Sequence, residues 1–345
     1  MRTELKTTQK TDGAGDAEDM QAVVRDRYGN ADGLEVRAVG RPSISARQVL
    51  IQVQAAGVDR GVWHLMTGEP YAMRLAVGLT RPKQPVLGLD VSGRVVAVGA
   101  DVTRFQPGDE VFGIASGSFA EYAAADEAKL VHKPTDLSWE QAAVAAISGG
   151  TALQALIDVG EVQAGQRVLV VGASGGVGTY AVQLAKALGA DVTGVCSTAK
   201  LDLVRSIGAD HVIDYTRDDY LDGATTYDLI LDIGGRTSVG RLRQALTATG
   251  TLVIVGGEDG GRLTGGIGRQ LRAMLVSPFI RQNLKSFIQK EHHTQIERLA
   301  EHLESGAVVP VIDRTVGLPG VPDAIRDLEA GRVRGKIAVS VRSQD

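Results

Sequence analysis

The stretch VLVVGASGGVG, residues 168–178, decides the fold class of this chain. It begins with a continuous apolar run, typical of a strand buried on both faces of a sheet, and a glycine-rich turn then leads into a helical segment. Glycine lets the backbone approach a pyrophosphate closely, and the helix N-terminus supplies free N–H donors and the positive end of a dipole. The stretch therefore predicts a dinucleotide-binding βα turn, whose cofactor-binding positions are Ser174, Gly175, Gly176 and Val177.

The match to the dinucleotide motif G-x-G-x-x-G is incomplete, because Ala173 stands in the place of the first glycine. The context supports the motif, since a buried strand precedes it and a helix follows it. A tight βα turn without any ligand is the alternative interpretation. Strand-like and helical segments alternate over short links, and the predicted strands are residues 167–171, 191–196, 211–215, 227–232 and 251–255. This alternation predicts an α/β fold with a doubly wound parallel sheet.

The N-terminal and C-terminal parts of the sequence lack this alternation of strands and helices and are rich in β-strand patterns. Residues 21–130 are rich in short β segments separated by glycine and proline, such as residues 49–53, and they predict a small barrel or sandwich. A predicted helical stretch covers residues 267–305, after which the β texture returns at Val308. The first part of that stretch, residues 267–290, suits an amphipathic flap over the substrate pocket, a subunit contact or an ordinary surface helix.

Length, charge and cysteine content exclude several classes of protein. A chain of 345 residues is long enough for two domains, and a net charge of -4 indicates no affinity for nucleic acid or an anionic membrane surface. The single cysteine, Cys196, excludes an internal disulfide and a cysteine-cluster zinc site. Residues 1–19 are polar and acidic, which predicts a disordered extension rather than a signal or transit peptide. With no apolar run of membrane-spanning length, the expected location is the cytoplasm.

The end of the second predicted strand of the sheet indicates which nicotinamide cofactor binds. Sites that prefer NAD place an acidic residue there, on the ribose 2′-hydroxyl. Here the strand is followed by Ser197, Thr198 and, two residues later, Lys200. Their hydroxyls and positive charge suit a 2′-phosphate, and Tyr215 after the next strand adds another hydroxyl. We therefore expect NADPH rather than NADH; the alternative role of Ser197 and Thr198 is to cap the next helix.

Several motifs together resemble the quinone oxidoreductase branch of the medium-chain dehydrogenase/reductase superfamily. They are residues 173–178 with 181–186, residues 87–93, residues 105–109 with 117–122, and residues 331–337, in the order typical of that family. The resemblance implies a GroES-like substrate domain, residues 20–144 and 307–345, around an inserted Rossmann domain, residues 145–306. It also implies an active site in the cleft between these domains and a homodimer formed by edge-to-edge pairing of the Rossmann sheets.

The alcohol dehydrogenases of this superfamily hold a catalytic zinc ion with an early cysteine and a Gly-His-Glu segment. The corresponding positions here are Asp59, in Gly57-Val58-Asp59-Arg60, and Leu89, in Gly88-Leu89-Asp90. Leucine cannot bind a metal ion, and the four-cysteine structural zinc loop of those enzymes is also missing. The resemblance therefore implies an enzyme without zinc.

The resemblance also places candidate residues in the expected cleft. The candidate catalytic residues are Asp59, which stands where relatives often carry asparagine, His64 and Tyr71, with Trp63 as an apolar wall. Packing or loop solvation is an equally good interpretation of each. The remaining cofactor candidates are Thr151 at the interdomain junction, Gly256 and Gly257 after a strand, and Lys336, for which a solvated surface position is the alternative.

The absence of zinc ligands bears on the expected substrate. Without a metal ion to polarise a simple ketone, a conjugated acceptor is favoured, because hydride transfer to a quinone or an enone leaves a delocalised negative charge. The sequence thus predicts an NADPH-dependent oxidoreductase that transfers hydride to a quinone or an α,β-unsaturated carbonyl compound. Two alternatives stay open at this point. One is a zinc-free alcohol or carbonyl dehydrogenase, and the other is an NADPH-binding regulatory protein with little turnover.

Overall fold

The computed structural model describes residues 19–257, 261–263 and 265–341. The predicted extension, residues 1–19, therefore lies outside the described residues except for Asp19, which opens the first strand. The strands are β1 (Asp19–Val24), β2 (Glu35–Gly40), β3 (Gln48–Val58), β4 (Asp90–Val98), β5 (Glu110–Ile114), β6 (Tyr122–Asp126), β7 (Leu130–His132), β8 (Arg167–Val171), β9 (Asp191–Cys196), β10 (His211–Asp214), β11 (Tyr227–Asp232), β12 (Leu246–Ile254), β13 (Asn283–Ser286), β14 (Ile312–Val316) and β15 (Lys336–Ser340). The helices are α1 (Arg60–Thr67), α2 (Arg74–Val77), α3 (Trp139–Ala143), α4 (Ala146–Leu153), α5 (Gly176–Ala187), α6 (Leu201–Ser206), α7 (Val239–Gln244), α8 (Ile267–Val276), α9 (His293–Glu304) and α10 (Val321–Glu329).

Six parallel strands form one sheet, in the order β10-β9-β8-β11-β12-β13. Counted from β8, this is the 3-2-1-4-5-6 order of a doubly wound dinucleotide-binding sheet. The order reverses between β8 and β11, and such sheets bind their ligands beyond the carboxyl ends of the strands at that point. The α/β prediction is confirmed, and the glycine-rich turn that follows β8 lies at the expected crevice.

The side chains of β8 explain why its sequence is continuously apolar. Val168 and Val170 belong to the hydrophobic core on one face of the sheet, whereas Leu169 and Val171 belong to the core on the other face. A strand covered on both faces needs apolar side chains at every position rather than at alternate ones. This burial holds the end of β8, and the turn after it, in a fixed position.

One predicted element is wrong. The stretch expected to be helical from residue 267 to residue 305 contains α8 and α9, but β13 lies between them and pairs in parallel with β12. Its sequence, Asn-Leu-Lys-Ser, buries only Leu284, so four residues leave too short a pattern for periodicity to reveal. Pairing with β12 supplies backbone hydrogen bonds that the local sequence does not specify.

The second large sheet combines strands from both ends of the chain. Its order is β14-β15-β3-β4-β5-β7, and β6 pairs with β3 outside that path. β15 runs antiparallel to β3, with Ile337 opposite Val58 and Ala338 opposite Gly57. The GroES-like β domain is thus present, completed by strands that follow the six-stranded sheet; its predicted limits, residues 20–144 and 307–345, stay predictions.

The segment before β15 crosses the glycine-rich turn. Gly335 donates its N–H to Ser174 O at 2.9 Å. The φ of Gly335 is +82°, and a Cβ there would lie 2.5 Å from Val311 O, so only glycine suits this crossing. These contacts bring the start of β15, and with it Lys336, beside the turn.

Candidate active site

The turn between β8 and α5 forms despite its incomplete motif. Gly172 has a φ of +89°, a left-handed conformation that glycine adopts without strain, and it makes the tight turn itself. Ala173 is tolerated because its methyl group is buried facing Gly194 of β9, where a Cβ would lie 3.1 Å from Ala173 Cβ. At Gly178 a Cβ would lie 2.1 Å from Gly172 O, so glycine is required for α5 to approach the turn.

Gly175 and Gly176 lie where the turn meets the first residues of α5. A Cβ on Gly175 would have only Gly172 O within 4 Å, at 3.6 Å, so the backbone here faces open space. No described side chain caps α5, which leaves N–H groups of its first turn available. Ser174 is buried with its carbonyl bound to Gly335, and Val177 is half-buried against the core. Backbone donors facing open space suit a pyrophosphate.

A buried polar cluster lies beside the first turn of α5. Lys336 Nζ lies 3.2 Å from Asp90 Oδ2 and donates to Ser148 Oγ at 3.1 Å. Asp90 Oδ1 accepts the N–H of Ile147 at 2.9 Å. A Cβ on Gly176 would lie 3.0 Å from Lys336 Cδ, so the cluster contacts the dinucleotide turn. Lys336 is only 2% exposed, and the surface alternative for this residue is wrong.

Asp59 joins this cluster through its charge. Its Oδ1 caps α1 by accepting the N–H of Val62 at 3.0 Å, while its Oδ2 is buried with no hydrogen-bond partner among the described residues. Burial raises the pKa of Asp59 and raises that of Asp90 to about 7, with Lys336 opposing both shifts. Two buried carboxyls and one ammonium favour retention of a proton on a carboxyl near neutral pH. A protonated Asp59 can donate a hydrogen bond, as the asparagine of relatives can.

Thr151 is the predicted contact to the nicotinamide or its ribose, and its hydroxyl already makes hydrogen bonds within the protein. Its Oγ1 lies 2.7 Å from Ile147 O and 2.7 Å from Gln289 Oε1, and its single proton can bond to one of them at a time. Gln289 Nε2 also donates to Ala146 O at 3.3 Å. A Cβ on Gly150 would lie 2.7 Å from Gln289 Nε2, so the glycine leaves room for this amide. Gln289 therefore occupies the space beside Thr151.

One of the predicted 2′-phosphate residues, Thr198, contacts a carboxylate at the end of β10. Thr198 Oγ1 donates to Asp214 Oδ2. Thr216 donates its N–H and its hydroxyl to Asp214 Oδ1, at 3.0 Å and 2.7 Å. The bond from Thr198, helped by those from Thr216, holds the pKa of Asp214 below its usual range. Asp214 is thus ionised, its charge is matched by donors, and the proton of the Thr198 hydroxyl is already used.

Ser197, Lys200 and Tyr215 keep donors for a phosphate. Lys200 Nζ donates to Gly331 O at 2.7 Å and to Val333 O at 2.6 Å, which leaves one of its three protons. Ser197 is half-buried, and Tyr215 is exposed at the end of β10. Through its bonds to Gly331 and Val333, Lys200 also connects the nucleotide-binding sheet to the segment that precedes β15.

Gly256 and Gly257 follow β12, where backbone packing requires glycine. A Cβ on Gly256 would lie 2.1 Å from Ile233 O, and one on Gly257 would lie 2.8 Å from Gly266 Cα. These contacts account for both glycines without any nicotinamide, so the cofactor contact of Gly256 stays a prediction. At the same edge of the sheet, Asp232 forms a buried ion pair with Arg269, which attaches α8 to the crevice.

His64 and Tyr71 lie in different surroundings. His64 Nδ1 donates to Glu69 O at 2.7 Å, which leaves its Nε2 for another partner. The guanidinium carbon of Arg74 lies 4.3 Å from the centre of the Tyr71 ring. Tyr71 and Trp63 line a cavity of about 360 Å³, here called the Trp63 cavity. Its lining residues are Tyr28, Gly29, Asn30, Trp63, Met66, Thr67, Glu69, Tyr71, Arg74, Arg262 and Glu329, so it includes Tyr71 but neither Asp59 nor His64.

Comparison with known proteins covers both sheets. The family described as "Alcohol dehydrogenase GroES-like domain" matches residues 45–135, and the family described as "Zinc-binding dehydrogenase" matches residues 207–339. "NAD(P)H oxidoreductase RTN4IP1, mitochondrial" of Danio rerio is 33% identical, over 93% of this chain and 91% of that protein. "NADPH-dependent alkenal/one oxidoreductase, chloroplastic" of Arabidopsis thaliana is 32% identical, over 93% of this chain and 79% of that protein. The solved quinone oxidoreductase from Coxiella burnetii is 28% identical with a TM-score of 0.83, over 94% of this chain and 100% of that chain.

The chain belongs to the medium-chain dehydrogenase/reductase superfamily, in its quinone oxidoreductase-like branch. In this medium-chain dehydrogenase, the positions corresponding to zinc ligands are Asp59, which caps α1, and Leu89, which is partly buried against the apolar core. No group of three or more His, Cys, Asp or Glu side chains within the described ranges could hold a metal ion. No helix in the described part of the chain is long and apolar enough to cross a membrane.

Four polar residues of the candidate site in this medium-chain dehydrogenase are not among those predicted from the sequence. They are Asp90, Ser148, Asp214 and Gln289. Asp90 had a usable signal, because a charged residue at the start of an otherwise apolar strand must be paired if it is buried. Ser148 and Gln289 had none, since their partners lie on distant segments, whereas Asp214 is bonded both to the nearby Thr216 and to the distant Thr198.

Proposed function

We propose that this medium-chain dehydrogenase is an NADPH-dependent oxidoreductase that transfers hydride to a quinone or an α,β-unsaturated carbonyl compound without a metal ion. The observation that carries the proposal is the glycine-rich turn at the reversal of strand order, with open space at Gly175 and the Lys336 cluster beside it. The names of the relatives, an alkenal/one oxidoreductase and a quinone oxidoreductase, support the same chemistry.

NADPH, when bound, supplies a hydride from its nicotinamide ring. The uncapped backbone N–H groups of Gly176 and Val177, in the first turn of α5, would bind the pyrophosphate at the positive end of the α5 dipole. Lys336, bonded to Asp90 and Ser148, holds the start of β15 beside the first turn of α5. At the far end of the cofactor, Ser197 and Lys200 bind the 2′-phosphate, and Tyr215 adds a third donor.

The acceptor occupies the Trp63 cavity. Hydride adds to the β-carbon of an enone, the π electrons move toward oxygen, and the resulting enolate takes up a proton. Tyr71, which lines the cavity, donates to the developing oxyanion. Asp59, the N-cap of α1, and His64, on α1, do not line the cavity and are the alternative donors to be tested. The variants Tyr71→Phe, Asp59→Asn and His64→Gln identify the donor, because its loss lowers kcat while NADPH affinity is unchanged.

The test is oxidation of NADPH and NADH by the purified protein with a panel of quinones, enones, aldehydes and simple ketones. We expect turnover with NADPH and with the conjugated acceptors. Turnover confined to aldehydes and simple ketones would favour a zinc-free alcohol or carbonyl dehydrogenase. Tight NADPH binding with no turnover across the panel would favour a regulatory protein instead.

A homodimer is the proposed assembly. β13 is at the edge of the six-stranded sheet, and Leu271, Met274 and Leu275 of the adjacent α8 are exposed. Pairing of two such edges would cover these apolar side chains and the unpaired backbone groups. Analytical ultracentrifugation tests this: Leu275→Lys should be monomeric at concentrations where the parent chain is dimeric, and Val309→Lys, at another exposed apolar position, should not.

The proposed location is the cytoplasm. The Danio rerio relative is named mitochondrial, so the location needs its own measurement. Cell fractionation with the full chain provides it, and enrichment in an organelle would contradict the proposal.

A further inference from the structure

A second cavity lies beside the Trp63 cavity and contains none of the residues proposed to bind the cofactor or to donate a proton. Its volume is about 340 Å³, and we call it the Arg25 cavity. It is formed by the end of β1, the loop that follows, the start of β2 and one residue of α1. The lining residues are Val24, Arg25, Asp26, Arg27, Tyr28, Gly29, Asn30, Gly33, Glu35, Arg37 and Met66.

Arg25 is the unusual member of this lining. The residue is 4% exposed, and its Nε and Nη1 are buried without a hydrogen-bond partner among the described residues. Arginine is rarely buried unless it is paired, because taking its charge and its donors out of water is costly. Burial lowers the pKa of Arg25 to about 10, with Tyr28 opposing, so the guanidinium remains charged at neutral pH.

The two carboxylates that line the cavity both pair with Arg37. Asp26 accepts two bonds from Arg37, at 2.6 Å and 3.1 Å, and Glu35 Oε2 lies 3.7 Å from Arg37 Nη1. The bond from Arg37 holds the pKa of Asp26 below its usual range, so the two stay paired at neutral pH. Because three arginines face two carboxylates in this lining, positive charge is in excess.

We propose that the Arg25 cavity binds a small oxyanion, recognised by the buried guanidinium of Arg25. An oxyanion in this cavity would offset the unpaired charge of Arg25, and charge-assisted interactions of arginine with carboxylate or phosphate are among the strongest available. The cavity volume equals that of roughly ten water molecules, at about 30 Å³ each, which limits the size of the anion. Inorganic phosphate, acetate and benzoate all satisfy that limit.

The Arg25 cavity adjoins the Trp63 cavity. Tyr28, Gly29, Asn30 and Met66 line both of them. An anion bound at Arg25 therefore lies against residues that also face the proposed acceptor. The proposal does not depend on hydride transfer, because the orphaned guanidinium and the charge excess are present whatever the chain catalyses.

The experiment measures thermal unfolding of the full chain at constant ionic strength. Acetate, benzoate and inorganic phosphate replace chloride in separate titrations, and a ligand that binds the folded state raises the melting temperature with its concentration. The test variant is Arg25→Met, and the matched control is Arg27→Met, which removes the same charge from an exposed residue that lines the same cavity. In chloride, Arg25→Met should be at least as stable as the parent, because it removes an unpaired buried charge.

We expect a saturable rise in melting temperature for the parent and for Arg27→Met, and none for Arg25→Met. A response to acetate or benzoate assigns the site to a carboxylate, and a response to phosphate alone assigns it to a phosphate group. Isothermal titration calorimetry of the parent chain with the same anions gives an answer that does not depend on how the variants fold. No saturable binding of any of the three, or an equal response in Arg25→Met, overturns the proposal and leaves the proposed function untouched.

Discussion

Lys336 Nζ lies 3.2 Å from Asp90 Oδ2, and both side chains are almost completely excluded from solvent. The two residues are 246 positions apart, at the first positions of β15 and β4. Their ion pair joins the N-terminal and C-terminal parts of the GroES-like domain beside the dinucleotide turn. A buried pair of this kind makes stability at this site depend on protonation.

Stability should vary with pH through Asp90. Burial raises the pKa of Asp90 to about 7, against Lys336, and Asp59 adds to the shift. A carboxyl whose pKa is higher in the folded than in the unfolded state stabilises the fold below about pH 4 and loses that contribution as the pH rises toward 7. Asp90→Asn cannot titrate, so the free energy of unfolding of the parent relative to this variant should fall across that window, by at most about 1.4 kcal/mol per pH unit. Chemical denaturation at several pH values measures it; a difference that rises with pH contradicts the assignment.

Two neighbouring glycines should separate folding from cofactor binding. Gly178→Ala places a Cβ 2.1 Å from Gly172 O, so the melting temperature should drop. Gly175 has φ −87° and ψ −179°, which alanine adopts, and its Cβ would meet only one atom, at 3.6 Å. Gly175→Ala should therefore keep its melting temperature but bind NADPH at least about 10-fold more weakly, since the methyl group enters the pyrophosphate site. Fluorescence titration measures the affinity, and full NADPH affinity in Gly175→Ala would rule out this turn as the binding site.

Lys200 should discriminate between the two nicotinamide cofactors. A charge-assisted bond to the 2′-phosphate is worth about 1.5–3 kcal/mol, so Lys200→Ala should raise the KM for NADPH roughly 10- to 100-fold. Loss of its bonds to Gly331 and Val333 affects both cofactors alike, so the ratio of the two KM values isolates the phosphate contact. Lys186→Ala, which removes a lysine paired with Asp210, should leave that ratio unchanged. Equal losses for NADPH and NADH in Lys200→Ala would exclude the 2′-phosphate contact.

Activity should not depend on zinc. Leu89 cannot bind a metal ion, and Asp59 uses one carboxylate oxygen to cap α1. Dialysis against a strong chelator should therefore leave kcat and KM unchanged, and elemental analysis should find far less than one zinc ion per chain. Loss of activity that added zinc restores would show that a metal ion takes part after all.

Local patterns explain which elements could be predicted. β8 is recognisable because each of its apolar residues is needed on one face or the other, and the glycines after it satisfy steric demands within the same short segment. β13 was not recognisable, because a strand of four residues with one buried side chain carries no period. Its place in the sheet depends on backbone pairing with β12.

The candidate site divides in the same way. The positions that bind the phosphates follow from the motif around residues 172–178. Three contacts at the site join residues that are distant in sequence. Lys336 and Asp90 are 246 positions apart, Thr151 and Gln289 are 138 apart, and Thr198, whose hydroxyl donates to Asp214, is 16 positions from it. No local spacing predicts these contacts, and they decide which donors remain for a ligand.

The sequence by itself determined the fold class, the dinucleotide turn and the family, because these depend on side-chain periodicity and on glycines within a few residues of one another. Only the tertiary structure decided that Lys336 is buried and paired, and that Asp59 Oδ2 and two nitrogen atoms of Arg25 are buried without a hydrogen-bond partner in the described part of the chain. Burial and charge pairing arise when distant segments exclude water together, and that exclusion is a property of the folded chain.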